Sequence, residues 1–501
     1  MVNIFKSLLT FAAASSAMLS VSCNILDLDQ SDKLNRTNMW IEESDAVTAT
    51  RGIYERLRNS FAQSKANPFF WGELRVGPGM WGKGTGRSLA DNDMLDVLLN
   101  TLNASDASTR WNYLYTTIDQ CNQVIKYSPS IKMSESALDY CLGNAYFVRA
   151  YCYFWIARVW GDAPLILTPT EGVNESIYPV RQPVNDLYTQ ISADITSALE
   201  YIKDDSGRPY YATVDNLNLL KADFSLWMYS AAKAGDSWLD EAKEALDSVS
   251  NEYLDSDFAN VFKFDNKDNK EISFSVHMKN GEVVGSSWYG YFIWGSTQIK
   301  PEYRNKEVPV SSNQWLLYSD SFIEFLKASK ERGDQRTDVT YMEKEGVSDI
   351  YDIVQWPNKF TGNTTTGTMI WEQDFILYRY AQFYTFYAEY YYHKKDYGNA
   401  LKQLNILAKR AYDIDGFYTD ISRNAVKKAI VDENLKEFAE EGNVYFTLIR
   451  MDAIQEFNPY RYEEGLGQCG VNPDRPNQLL MPIAKDAINR NNKLVQTEGW
   501  S

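Results

Sequence analysis

The chain has 501 residues, 44% of them hydrophobic, which is enough for a substantial core and too many for a disordered chain. A formal net charge of −17 repels phosphate backbones, and no basic stripe offsets it, which argues against nucleic-acid binding. Two histidines, His277 and His393, exclude a His-rich metal centre and leave almost nothing for a Ser-His-Asp triad.

The amino terminus reads as an export signal. Lys6 precedes the apolar run Leu8 to Leu19, and small residues come next in Ser20-Val21-Ser22-Cys23. The run is too short for a membrane span, and the cysteine directly after small residues has the form of a lipidation site. One departure is Ser20, at a position where leucine is commonest. The expectation is a leader over 1–22 and an acylated Cys23 that anchors the chain to a membrane.

Helical periodicity dominates the chain beyond Cys23. Ala46, Ala49, Ile53 and Leu57 predict a helix over 44–57 capped by Ser44 or Asp45. Residues 111–127 and 135–159 read the same way, the second stopped by Gly161-Asp162-Ala163-Pro164. A further helix is predicted over 184–202. Ser230 precedes Ala242, and Ala388 precedes Ala400, by twelve positions each, the tetratricopeptide spacing at which small side chains let two antiparallel helices approach. Between these blocks, 62–96, 260–309, 311–368 and 458–476 carry loop and short-strand signals, including Ile272-Ser273-Phe274-Ser275-Val276. They read as excursions from a helical scaffold.

The other cysteines, Cys121, Cys141, Cys152 and Cys469, have neither C-x-x-C nor framework spacing, so zinc and a disulfide scaffold are weak readings. Cys141 and Cys152 read as buried thiols in helices. The run Asp265-Asn266-Lys267-Asp268-Asn269-Lys270-Glu271 misses the EF-hand pattern and reads as a solvated turn. No metal and no cofactor is expected.

In chain order, several stretches resemble the SusD/RagB family of Bacteroidetes outer-membrane lipoproteins. They are Cys23-Asn24-Ile25-Leu26-Asp27, Asp45-Ala46 through Tyr54, and Trp111 through Tyr115 with Ile118 and Asn122. Tyr146-Phe147-Val148-Arg149-Ala150-Tyr151 with Trp160-Gly161-Asp162-Ala163-Pro164-Leu165 is the most specific. Arg379-Tyr380-Ala381 with Ala388-Glu389, then Glu437, Glu441-Gly442 and Arg450, and finally Pro482-Ile483 with Asn491, Leu494 and Gln496 complete the set. Asn434 and Asn443 stand where the family usually has arginine, and Ala484 where it usually has proline.

The resemblance implies a mostly α fold: a SusD-like α/α superhelix on four tetratricopeptide-like helix pairs, with irregular loop and short-strand excursions. It implies one SusD-like domain over 23–501 on the bacterial outer membrane. It also implies partnership with a SusC-like TonB-dependent transporter and ligand binding without catalysis, a glycan being the expected ligand.

A sugar site needs an aromatic platform with planar hydrogen-bonding groups around it. The chain holds 34 Tyr and 14 Trp. Arg75, Trp81 and Lys83 lie amid Gly77, Gly79, Gly82 and Gly84, a setting that favours exposure of Trp81. A second aromatic run supplies Trp288, Tyr291 and Trp294 beside Tyr289 and Phe292, though its alternation equally fits a strand with one face inward. The candidate glycan contacts are therefore Arg75, Trp81, Trp288, Tyr291 and Trp294. Two other readings stand beside capture: a glycoside hydrolase, for which no catalytic motif is recognisable, and a tetratricopeptide scaffold that binds peptides on its helices.

Overall fold

The computed structural model describes residues 39–84, 92–172, 178–279, 281, 287–311, 314–365 and 369–500, except the side chains at 83, 92, 287 and 288. The leader and Cys23 lie outside the described residues. Among them no helix is long and apolar enough to cross a membrane.

Twelve helices of seven residues or more are described. They are α1 (Glu43–Phe61), α2 (Asn92–Leu99), α3 (Asn112–Tyr127), α4 (Glu135–Trp160), α5 (Val184–Tyr201) and α6 (Val214–Ser230). The rest are α7 (Ser237–Asp247), α8 (Asp320–Glu331), α9 (Ala381–His393), α10 (Tyr397–Tyr412), α11 (Arg423–Phe438) and α12 (Val444–Arg450). Four pairs pack side by side: α1 with α3, α4 with α5, α6 with α7, and α9 with α10.

The small residues sit where the spacing places them. Ser230 and Ala242 are buried, and Ala388 and Ala400 are fully closed to solvent. The predicted helix limits hold to within a few residues, but the first cap differs. Glu42 is the N-cap of α1, and Asp45 reaches back from the third helical position to accept the Glu42 and Ile41 amides, both at 2.9 Å.

Buried ion pairs join the helix pairs. Arg149 on α4 makes two bonds to Asp194 on α5, at 2.7 and 2.8 Å, and donates to Asn122 on α3 at 2.8 Å. Arg450 on α12 grips Glu389 on α9 at 2.7 and 2.9 Å and donates to Asp223 on α6 at 2.8 Å. Asp223 also accepts from Arg158 on α4 at 3.1 Å. Such groups are held only because each charge meets an opposite one, and removing one partner is far costlier than the pair is stabilising.

The strands are short and paired two by two. Two antiparallel pairs frame the site: β1 (Trp81–Lys83) with β3 (Leu316–Tyr318), and β2 (Ile272–Val276) with β4 (Phe375–Arg379). β2 is the strand expected from the sequence, and all ten residues of β2 and β4 are buried. Their pairing delivers Arg379 into an acidic cluster: Nη1 meets Glu271 at 2.7 Å and Glu437 at 2.6 Å, and Nε meets Glu441 at 2.8 Å. The turn expected before β2 is therefore solvated only in part. Asp265, Asp268 and Lys270 are exposed as expected, whereas Asn269 is buried and Glu271 is buried between Arg379 and Arg410. Among the described residues no acidic, His or Cys group is arranged to hold a metal ion. Cys121, Cys141, Cys152 and Cys469 are all buried free thiols.

Candidate ligand-binding face

In the β1–β3 ladder Trp81 lies opposite Tyr318 and Lys83 opposite Leu316. The ladder continues as the Gly84 amide donates to the Trp315 carbonyl at 3.1 Å. A Cβ on Gly84 would lie 2.8 Å from the Gln314 carbonyl oxygen, so this approach requires glycine. The Trp315 amide in turn donates to the Tyr291 carbonyl at 2.6 Å. Fully buried Gln314 donates to the Phe292 carbonyl at 2.9 Å and the Gln355 carbonyl at 2.7 Å. The 3-10 turn Ser287–Phe292 is thus fixed between two strand ends.

A third segment joins on the far side of that turn. Asn363 and Ile370 exchange backbone bonds of 2.9 and 2.8 Å, and the next residue, Trp371, packs on the turn. Tyr289 stacks between Phe360 and Trp371, with ring centroids 5.1 and 5.7 Å away. Three distant segments joined by these bonds and stacks thus carry half-buried apolar side chains, Trp315, Tyr291, Trp371 and Met369. Asn363 and Glu372 lie beside them, joined by a 2.6 Å bond from Nδ2 to Oε1. Partly open aromatic faces next to planar polar groups suit the stacking and hydrogen bonding of a sugar ring.

Trp81 and Arg75 do not sit on this face, and the expected exposure of Trp81 does not hold. Trp81 is 0% exposed, stacked on Tyr318 at 4.4 Å and Phe292 at 4.9 Å, with Phe69 edge-on at 5.0 Å. It is the support under the face. Arg75 is buried over the Tyr445 ring and donates to the carbonyls of Leu479 at 2.7 Å and Gln478 at 3.0 Å, which fastens the carboxy-terminal segment. Trp294 is also fully buried, donating Nε1 to the Gln355 carbonyl at 3.0 Å. Of the five expected contacts, Tyr291 is on the face, and the Trp288 side chain lies outside the described residues. Trp315 and Trp371 were missed, because both fall in or beside a stretch that reads as loop.

Beneath Trp81 lies a sealed pair of carboxyls. Tyr318 donates its phenol to Glu440 Oε1 at 2.7 Å, and Glu73 accepts the Glu440 and Gly442 amides at 2.5 and 2.8 Å. Burial pushes both Glu73 and Glu440 up to about 8. Neighbouring Lys359, held below its ordinary range by burial, donates instead to Glu441 and to the Glu437 carbonyl, both at 2.9 Å. Glu73 is 0% and Glu440 2% exposed, so neither reaches a substrate on the surface.

The fold and this face define a class: a helical-repeat protein whose loops present an aromatic surface. Residues 336–500 match the SusD family model, and 84–215 match a model described as starch-binding associating with outer membrane. The chain is a SusD-like protein.

A SusD-like protein of Formosa agariphila is 24% identical over 198 residues, and a second is 26% identical over 189. The matched stretches cover 39% and 36% of this chain and span 37% and 36% of those relatives' lengths. A SusD-like protein of Bacteroides ovatus is 24% identical over 362 residues, 68% of this chain and 61% of the relative. Among solved structures, a SusD superfamily protein of Bacteroides fragilis superposes with a TM-score of 0.75 at 23% identity, covering 92% of this chain and all of that one. NanU of B. fragilis also gives 0.75, at 24% identity over 93% of this chain and 98% of NanU.

Proposed function

We propose that the chain is a cell-surface lipoprotein of the bacterial outer membrane, anchored through Cys23, that captures a glycan and delivers it to a SusC-like TonB-dependent transporter. The observation that carries this reading is the set of half-buried rings Trp315, Tyr291 and Trp371, on joined loops that a rigid helical frame holds in place. The likeness to SusD-family proteins and the description starch-binding for the model matched by 84–215 support a saccharide as the ligand class. The role is binding without catalysis: the face gathers stacking surfaces and neutral or paired polar groups, and the raised carboxyls are sealed beneath it.

Anchoring at Cys23 keeps the binding face close to its transporter, so handing over the ligand becomes a local event at high effective concentration. Affinity electrophoresis of the full chain through gels containing starch, xylan, pectin or mucin glycans tests the capture step. Retardation in at least one gel supports it. Co-purification of a β-barrel transporter from the native membrane tests the delivery step, and its absence would remove that step while leaving capture intact.

A further inference from the structure

A second cleft lies along α3, between the loop around Pro164 to Thr170 and the carboxy-terminal residues 484–494, with a volume of about 490 Å³. It shares no lining residue with the aromatic face. That volume falls within the roughly 300–1,000 Å³ range of small-molecule sites. Trp111 and Tyr115, edge to face at 5.7 Å, form its aromatic part, and Ile166 and Leu494 add aliphatic lining.

Its charge runs against that of the chain, in which 67 acidic residues outnumber 50 basic ones. Three arginines line it, Arg56, Arg110 and Arg490, against two carboxylates, Asp119 and Asp486. Asp119 is already satisfied by the Thr170 amide at 2.7 Å and Gln123 Nε2 at 2.8 Å. Asp486 is shared loosely, 3.7 Å from Arg110 and 4.0 Å from Arg490. Among the described residues Arg56 has no ion-pair partner, and it is exposed. The cleft therefore carries a surplus of one positive charge, on guanidinium groups whose planar fork matches a carboxylate.

Uncommitted neutral groups complete the lining. Gln120 donates Nε2 to the Ala49 carbonyl at 3.1 Å, which leaves its Oε1 as an acceptor, and Asn112 is exposed at the start of α3. Such groups match hydroxyls. A phosphate dianion exceeds the single surplus charge. Among the described residues no strand borders the cleft, so it offers no backbone edge for an extended peptide.

We propose that this cleft binds a hydroxylated monocarboxylate, a uronic-acid unit of an acidic saccharide, with the carboxylate at the arginines and the sugar ring against half-buried Tyr115, which Trp111 backs from the core. The site is independent of glycan capture at the aromatic face.

Calorimetry of the full chain in detergent micelles tests it, with galacturonate- and glucuronate-terminated trisaccharides and their neutral counterparts as probes. The expected result is at least about tenfold tighter binding of an acidic probe, weakened by added salt. Arg56→Gln removes most of that preference, and because Arg56 is exposed the variant keeps the wild-type melting temperature. Trp315→Ala leaves acidic binding unchanged. Equal affinity for acidic and neutral probes, no binding of either acidic probe, or an undiminished preference in Arg56→Gln overturns the proposal. So does loss of acidic binding in Trp315→Ala, which assigns it to the aromatic face.

Discussion

The Trp315 amide donates to the Tyr291 carbonyl at 2.6 Å, and this one bond joins two segments that each carry a half-buried aromatic ring. Tyr318, three residues further on, stacks on Trp81 beneath them at 4.4 Å. Rings on the face and rings under it should therefore respond differently to truncation.

Trp315→Ala and Trp371→Ala are each expected to lower glycan affinity by ~1–3 kcal/mol, the magnitude found for base stacking on aromatics, with little change in melting temperature. Trp81→Ala removes a fully buried ring and is expected to destabilise the fold by ~3–5 kcal/mol. Calorimetry together with urea unfolding separates the two classes. Loss of affinity without loss of stability in Trp81→Ala would contradict the placement of Trp81 as a support.

The Glu73 and Glu440 carboxyls give the fold a pH dependence of definite sign. Each is raised by burial from 4.5 to about 8. A carboxyl whose folded pKa exceeds its unfolded value stabilises fully below the unfolded value, and that stability is lost as pH rises through the folded value. Urea midpoints should fall between about pH 4.5 and about pH 8 and level off above it, and Glu440→Gln, which keeps an acceptor for Tyr318, should flatten the fall. An equally steep fall in the variant would show that Glu440 is not the group responsible.

Arg379 is fully buried among Glu271, Glu437 and Glu441. Arg379→Ala leaves their charge uncompensated and is expected to cost ~3–5 kcal/mol or to prevent folding. Circular dichroism with urea titration reads this directly. A loss below about 1 kcal/mol, the scale of a surface pair, would mean that the cluster is not closed to water.

Ala388 and Ala400 are both fully buried in the α9–α10 pair. Ala400→Leu overfills that contact and should destabilise by ~1–3 kcal/mol. The control is Lys402→Leu on α10, away from that contact, expected to stay within about 0.5 kcal/mol of the wild type. Urea unfolding of both variants reads the difference.

The scaffold was legible because its signals are periodic or paired. Asn122 meets Arg149, Glu389 meets Arg450, and Arg379 meets Glu437 and Glu441. Residues that mark the family resemblance in sequence are thus one another's partners in space. Gln496 likewise exchanges two bonds with the Ile483 backbone, at 2.8 and 2.9 Å.

The ligand face was harder to read, because glycine beside an aromatic has two physical causes. Around Trp81 it signals close backbone approach: a Cβ on Gly79 would lie 2.6 Å from the Phe457 carbonyl oxygen. Exposure was the wrong inference from that pattern. Trp315 escaped notice because its partners, Gly84 and Tyr291, are remote in sequence and only strand pairing brings them together.

The double variant Trp315→Ala/Trp371→Ala tests the proposed capture surface most directly. Affinity electrophoresis of the wild-type and double-variant chains, in every polysaccharide gel that retards the wild type, is the measurement. The double variant is expected to run unretarded while keeping the wild-type melting temperature. Retardation equal to that of the wild type in those gels would contradict it.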